Sequence, residues 1–134
     1  PRPIKDFETY AITIFEEKIS GITMMSRDFE DMTGSGCKKR FIELKNNLVS
    51  RYGSPDRNKE FTDSYYLENP SRFNYGLKIG LNEFYVAFFR EEVNVLLNIS
   101  AQDHYSCSLT LGYLHPGLSA QKANKEKEDE LDNL

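Results

Sequence analysis

The sequence predicts an α+β fold: an antiparallel sheet of about five or six strands packed on one amphipathic helix, in the order ββ-α-ββββ. Two patterns predict it. Residues 93–113 alternate apolar and polar side chains through two successive runs, the signature of strands with one buried face. Residues 37–52 instead carry apolar side chains at helical spacing. A length of 134 residues suits one domain with a core of its own. That domain is expected over residues 1–118, with a charged tail at 119–134 that is disordered or a frayed helix.

The first eight residues, with two prolines, read as a lead-in. From Thr9 to Phe15, Tyr10, Ile12 and Ile14 alternate with Ala11, Thr13 and Phe15, residue types that suit a pleated surface. Glu16 to Lys18 makes a polar turn, and Ile19 to Met25 reads as a second strand with a bulge at Gly21. The two should form a hairpin.

A loop follows, and then the helix. Cys37, Phe41, Leu44, Leu48 and Tyr52 fall on one face, while Lys38, Lys39, Lys45 and Asn46 point elsewhere. Ser35 is the expected N-cap, and Gly53 ahead of Pro55 is the expected stop, giving a helix over residues 36–52. Beyond it, Phe61–Leu67 reads as a strand ended by Asn69-Pro70. Phe73–Phe89 reads as a long β-prone stretch whose apolar set slips from odd to even positions near Leu81–Glu83, as at a bulge or tight turn. Val93–Ala101 and Tyr105–Tyr113 complete a meander.

Charge narrows the functional classes. Seventeen basic against 21 acidic residues give a net charge of −4, without the basic excess that nucleic-acid or anionic-membrane binding requires. No run of about 18 apolar residues is present to cross a bilayer as a helix. The run Leu48–Pro55 ahead of a meander resembles many small exported bacterial α+β domains; the likeness is that of a common helix stop and carries over no functional residue.

The two cysteines are the most informative pair. Cys37 lies on the apolar face of the helix and Cys107 on the apolar face of the last strand, so both point into one core. Two buried thiols would satisfy that pattern. So would one disulfide tying helix to sheet, closing a long loop worth about 4 kcal/mol on chain-entropy grounds. The disulfide implies an oxidising compartment, periplasmic or secreted; cytoplasmic residence is the alternative.

Catalytic patterns are thin. His104 and His115 complete a Cys2His2 inventory, but without the short ligand pairs of structural zinc sites, so no metal and no other cofactor is expected. Asp103-His104 near Ser106 lacks a nucleophile elbow. Thr33-Gly34-Ser35-Gly36 ahead of Lys38, Lys39 and Arg40 looks like an anion cradle, yet does not match the Walker spacing. Asn98-Ile99-Ser100 fits a glycosylation acceptor but falls within a strand. The strands' second face is more suggestive: Tyr85, Ala87, Phe89 and Leu96, with Tyr65 or Tyr66 nearby, are not covered by a single helix. The expected function is therefore a non-enzymatic, exported binding domain of inhibitor, immunity or envelope-accessory type, its partner a protein or small ligand. The alternatives are a small enzyme or anion-binding domain using the Gly34–Gly36 loop or His104, and an intracellular oligomeric module joined through the outer sheet face.

Overall fold

The computed structural model describes residues 4–132. Its strands are β1 (Phe7–Phe15), β2 (Lys18–Ser26), β3 (Arg57–Phe61), β4 (Glu83–Phe89), β5 (Asn94–Ser100) and β6 (Ser108–Leu114). Its helices are α1 (Ser35–Tyr52), α2 (Ser64–Glu68), α3 (Phe73–Lys78) and α4 (Pro116–Asp132). All six strands join one antiparallel sheet in the order β1-β2-β6-β5-β4-β3, confirming the α+β architecture.

The β1–β2 hairpin turns through Glu16 and Glu17, at φ 50° and 65°. Two successive left-handed residues match the strands' right-handed twist, which ordinary turns do not. The bulge expected at Gly21 sits one residue earlier. Thr13 pairs with Gly21 and Ile14 with Ile19, which leaves Ser20 as the extra residue, its hydroxyl donating to the Thr13 carbonyl at 3.2 Å.

Helix α1 buries Cys37, Phe41, Leu44 and Leu48 against the alternating set Val86, Phe88, Val95, Leu97, Leu109 and Leu111. Aromatic rings close the β4 end of this core. Phe41 and Phe73 each meet Phe84 edge-on, with centroids 5.9 and 5.7 Å apart. The helix cap differs from expectation. Gly34, not Ser35, is the cap residue, at φ 69°, and a Cβ there would also collide with the Phe73 ring. The Ser35 hydroxyl turns instead to the carboxylate of Asp31. At the other end, Gly53 takes φ 82° and donates to the Val49 carbonyl at 2.8 Å, as the Gly-x-Pro stop implies. Arg90 fixes this end to the sheet. Its guanidinium donates to the carbonyls of Tyr52 and Ser54, each at 2.7 Å, and pairs with Asp56 at 2.7 Å.

Residues 61–78 depart most from the sequence reading. The third strand is Arg57–Phe61, and Phe61–Leu67 is not a strand. Asp63 caps a short helix by accepting from the Tyr65 amide at 3.2 Å, and a local cap of this kind overrides the β propensity of Thr, Tyr and Phe. Phe73–Lys78 is also helical, so the odd-to-even slip near Leu81 marks a helix-to-strand junction rather than a bulge. Buried Asn82 holds that junction. Its carbonyl oxygen accepts from the Asp63 amide at 2.8 Å and its amide donates to the Phe73 carbonyl at 3.1 Å. The last strand starts at Ser108, later than the expected Tyr105. The segment expected to be disordered or a frayed helix forms α4, which runs against β1 and β2; Asn133 and Leu134 of that segment lie outside the described residues.

Cys37 and Cys107 are joined in a buried disulfide, their Cα atoms 6.4 Å apart. Cys107 stands just ahead of β6, in a two-way backbone bridge with Phe29: the Phe29 amide donates to Cys107 at 2.8 Å, and the Cys107 amide returns the bond at 3.1 Å. The bond therefore ties the first turn of α1 directly to the residue that leads into β6, to which the loop before the helix is also bridged. Among the described residues no cysteine is free, and no helix is long and apolar enough to cross a membrane.

Candidate functional site

The alternation that buries one face of β4, β5 and β6 presents the other. Antiparallel register sets Arg57, Ala87, Leu96 and Gly112 in one row across β3, β4, β5 and β6. The neighbouring rows place Lys59 beside Tyr85 and Asn98, and Phe89 beside Asn94 and Leu114. Phe89 and Leu96 are 50% and 47% exposed, although both belong to strands whose other face is sealed. Around them lies an apolar hollow of about 290 Å³, with Ala87 in its floor, Tyr85, Phe89, Leu96 and Leu114 on its walls and Arg57 at its rim. A wider hollow of about 540 Å³ shares Tyr85 and Leu96 and runs on toward Lys78 and Asn82. Gly112 contributes no side chain, and a Cβ there would meet nothing within 4 Å. The face is thus concave, apolar and open.

Its charges lie at the β3 side. Lys59 is ion-paired with Glu83 across the strands, and that hydrogen bond raises the lysine's pKa. Arg57 makes no ion pair among the described residues.

The residues expected on this face separate into two groups. Tyr85, Phe89 and Leu96 come together as the alternation implies. Tyr65 and Tyr66 do not belong with them, because they stand on α2. Their rings meet edge-on with centroids 5.0 Å apart, and Tyr66 is only 5% exposed. Gly76 explains the burial, since a Cβ there would crowd the Tyr66 ring at 3.1 Å and collide with the Asn82 amide. Sequence reasoning missed Arg57 and Leu114. Both follow from the alternation once β3 is placed at residues 57–61 and β6 is extended to Leu114.

The other candidates resolve differently. In the Thr33–Gly36 loop the donors converge on an internal anion. The Asp31 carboxylate accepts from the Thr33 hydroxyl at 2.6 Å, the Thr33 amide at 2.9 Å, the Gly36 amide at 3.4 Å and the Ser35 hydroxyl. These bonds, those from Ser35 and Thr33 foremost, hold its pKa down to about 2. The expected anion cradle is therefore filled by the chain's own carboxylate. Lys38, expected to point away from the core, lies half-buried with its ammonium 3.8 Å from the centre of the Phe73 ring, and burial lowers its pKa.

His104 and His115 serve separate turns. The His104 ring stacks on Tyr75, with centroids 4.8 Å apart, and its carbonyl accepts from buried Asn74. His115 Nδ1 accepts from the Leu118 amide at 3.0 Å, at the start of α4. Asp103 binds the Tyr105 and Ser106 amides at 2.8 and 2.9 Å and the Ser106 hydroxyl at 3.2 Å, which lowers its pKa. That is a closed Asx turn in which Ser106 faces the carboxylate rather than an imidazole. Both sulfurs are consumed in the disulfide, and among the described residues no three His, Cys, Asp or Glu side chains gather as metal ligands. Comparison with protein-family models, with curated proteins and with solved structures gave no match.

Proposed function

We propose that this chain is a non-enzymatic binding domain that works in an oxidising compartment, periplasmic or extracellular, and holds a protein partner against the uncovered face of its sheet. The observation that carries the reading is the pairing of exposed Phe89 and Leu96 around an apolar hollow on strands whose opposite face is sealed. Contiguous apolar surface of this kind, bounded by polar residues, is characteristic of protein contacts. Arg57 at the rim, without an ion-pair partner among the described residues, favours a partner that brings a carboxylate. The buried Cys37–Cys107 bond supports the compartment, because such bonds persist where thiols are not held reduced.

The experiment is site-specific photo-crosslinking in the source organism. A photoreactive residue at Leu96 should capture one discrete partner, whereas the same residue at exposed Asn47 on α1 should not. Equal, diffuse capture at both positions would sink the binding half of the proposal. Thiol titration of protein taken from its native compartment under denaturing, non-reducing conditions tests the other half; two free thiols would remove it.

A further inference from the structure

The sheet ends in two unlike edges. β3 is five residues long and carries Arg57, Lys59 and Glu60, with Lys59 paired to Glu83 and Glu60 to Lys45. Short, charged edges of this sort resist pairing with another chain. β1 is nine residues long, and Thr9 to Phe15 contains no charge. It is the terminal strand of the sheet, so its outer row of amides and carbonyls faces no strand among the described residues. On the helix side of the sheet, Ile12 and Ile14 stand 58% and 62% exposed, beyond the reach of α1. Between Thr9 and Thr13 there is no charge, proline or bulge of the kind that normally blunts an edge; α4 approaches β1 at its far end, where Lys125, Glu126 and Asp129 lie beside Ile14, Phe15 and Glu16.

We infer that β1 is a dimerisation edge, at which two copies of the chain pair antiparallel about a two-fold axis through Ala11 and extend one sheet into the next. The occupant follows from the strand's own pattern. Pairing of β1 with β2 is regular only from Thr9 to Thr13, between a step at Glu8 and the Ser20 bulge, and Ala11 is the midpoint of that stretch. An axis there sets Tyr10 beside the partner's Ile12 and Thr9 beside the partner's Thr13. Aromatic–β-branched and threonine pairs of this kind are favourable across antiparallel strands. An axis on Ala11 also sets the whole of Phe7–Phe15 against itself, whereas one on Ile12 leaves Phe7 and Glu8 with no strand residue opposite. Each strand meets an identical surface, as a closed two-fold interface requires. A few strand pairs make a small interface, so dimerisation belongs at the weak end of specific association.

Sedimentation equilibrium of the oxidised, full-length chain tests this, from low to several hundred micromolar. The expected mass rises from 15.5 kDa toward twice that value. Ile12→Lys should raise the dissociation constant about tenfold or more, with an unchanged circular dichroism spectrum, whereas Phe61→Lys on the opposite edge should leave it unaltered. Ala11→Cys reads the register. Under mild oxidation it should give a covalent dimer on non-reducing gels, while Thr13→Cys, whose counterpart across the axis is Thr9, should give little. A chain that stays monomeric throughout overturns the inference, as does a dimer dissociated by Leu96→Asp but not by Ile12→Lys. A Thr13→Cys cross-link in place of the Ala11→Cys one overturns it too.

Discussion

Phe88 and Phe89 are neighbours on one strand with opposite fates. Phe88 is fully buried under α1, and its ring lies 5.9 Å from that of Tyr52; Phe89 stands half in water on the open face. The same contrast runs along β5, where Leu97 is sealed and Leu96 is not. A strand's two-residue period divides its side chains equally between faces, but this fold places its long helix against one of them. On β4 and β5, apolar residues of the covered face are accounted for by packing, and those of the other face by packing only in part.

The widest gap should appear between the two phenylalanines. Phe88→Ala leaves a cavity beneath α1 and should cost about 3–5 kcal/mol, whereas Phe89→Ala should cost less than about 1 kcal/mol. Urea midpoints for the two variants measure the difference, and equal losses would break the comparison. Reducing the Cys37–Cys107 bond weakens only the covered face. The loss should be about 2–4 kcal/mol, read as a lower denaturation midpoint with dithiothreitol present.

A smaller effect concerns the loop leading into the covering helix. The Asp31 carboxyl titrates at about 2 in the fold against an ordinary 3.8, so it stabilises the folded state above pH 3.8 and that contribution drains away as pH falls toward 2. Solvent screening reduces its worth to about 1 kcal/mol. Asp31→Asn should therefore lower stability at pH 6 while narrowing the difference from the native chain at pH 2. The smallest change is expected at Leu96→Asp, within about 0.5 kcal/mol of the native stability, together with loss of any partner captured at that position.

Alternation and helical spacing were legible wherever an element was long and amphipathic. α1, β5, most of β6 and the meeting of Cys37 with Cys107 all follow from period alone, as do Tyr85, Phe89 and Leu96 on the second face. Residues 61–78 were not legible. Tyr65, Tyr66, Phe73, Tyr75, Leu77 and Ile79 read as β-formers, while the deciding features were an Asp63 cap, Pro70 opening a turn of helix and Gly76 fitting against Asn82. The Asp63 and Pro70 cues stand in the sequence but are outweighed by a long β-prone composition; the contact with Asn82 is tertiary. In α4 the cue was Pro116 at the first helical position ahead of alanine, lysine and glutamate, which favour helix without an apolar stripe. The filled anion cradle could not be foreseen, since Asp31 lies outside the glycine pattern and reaches it only through the fold of the loop.

Arg90 and the disulfide grip α1 at opposite ends by different chemistry. The guanidinium holds the Tyr52 end through carbonyls and Asp56, contacts indifferent to electron donors, whereas the Cys37 end is released by two electrons. A thiol reductant would therefore remove the covalent tie at the leading turn alone, leaving that end to apolar packing while the Phe29–Cys107 backbone bridge and the Arg90 clamp at the trailing end persist.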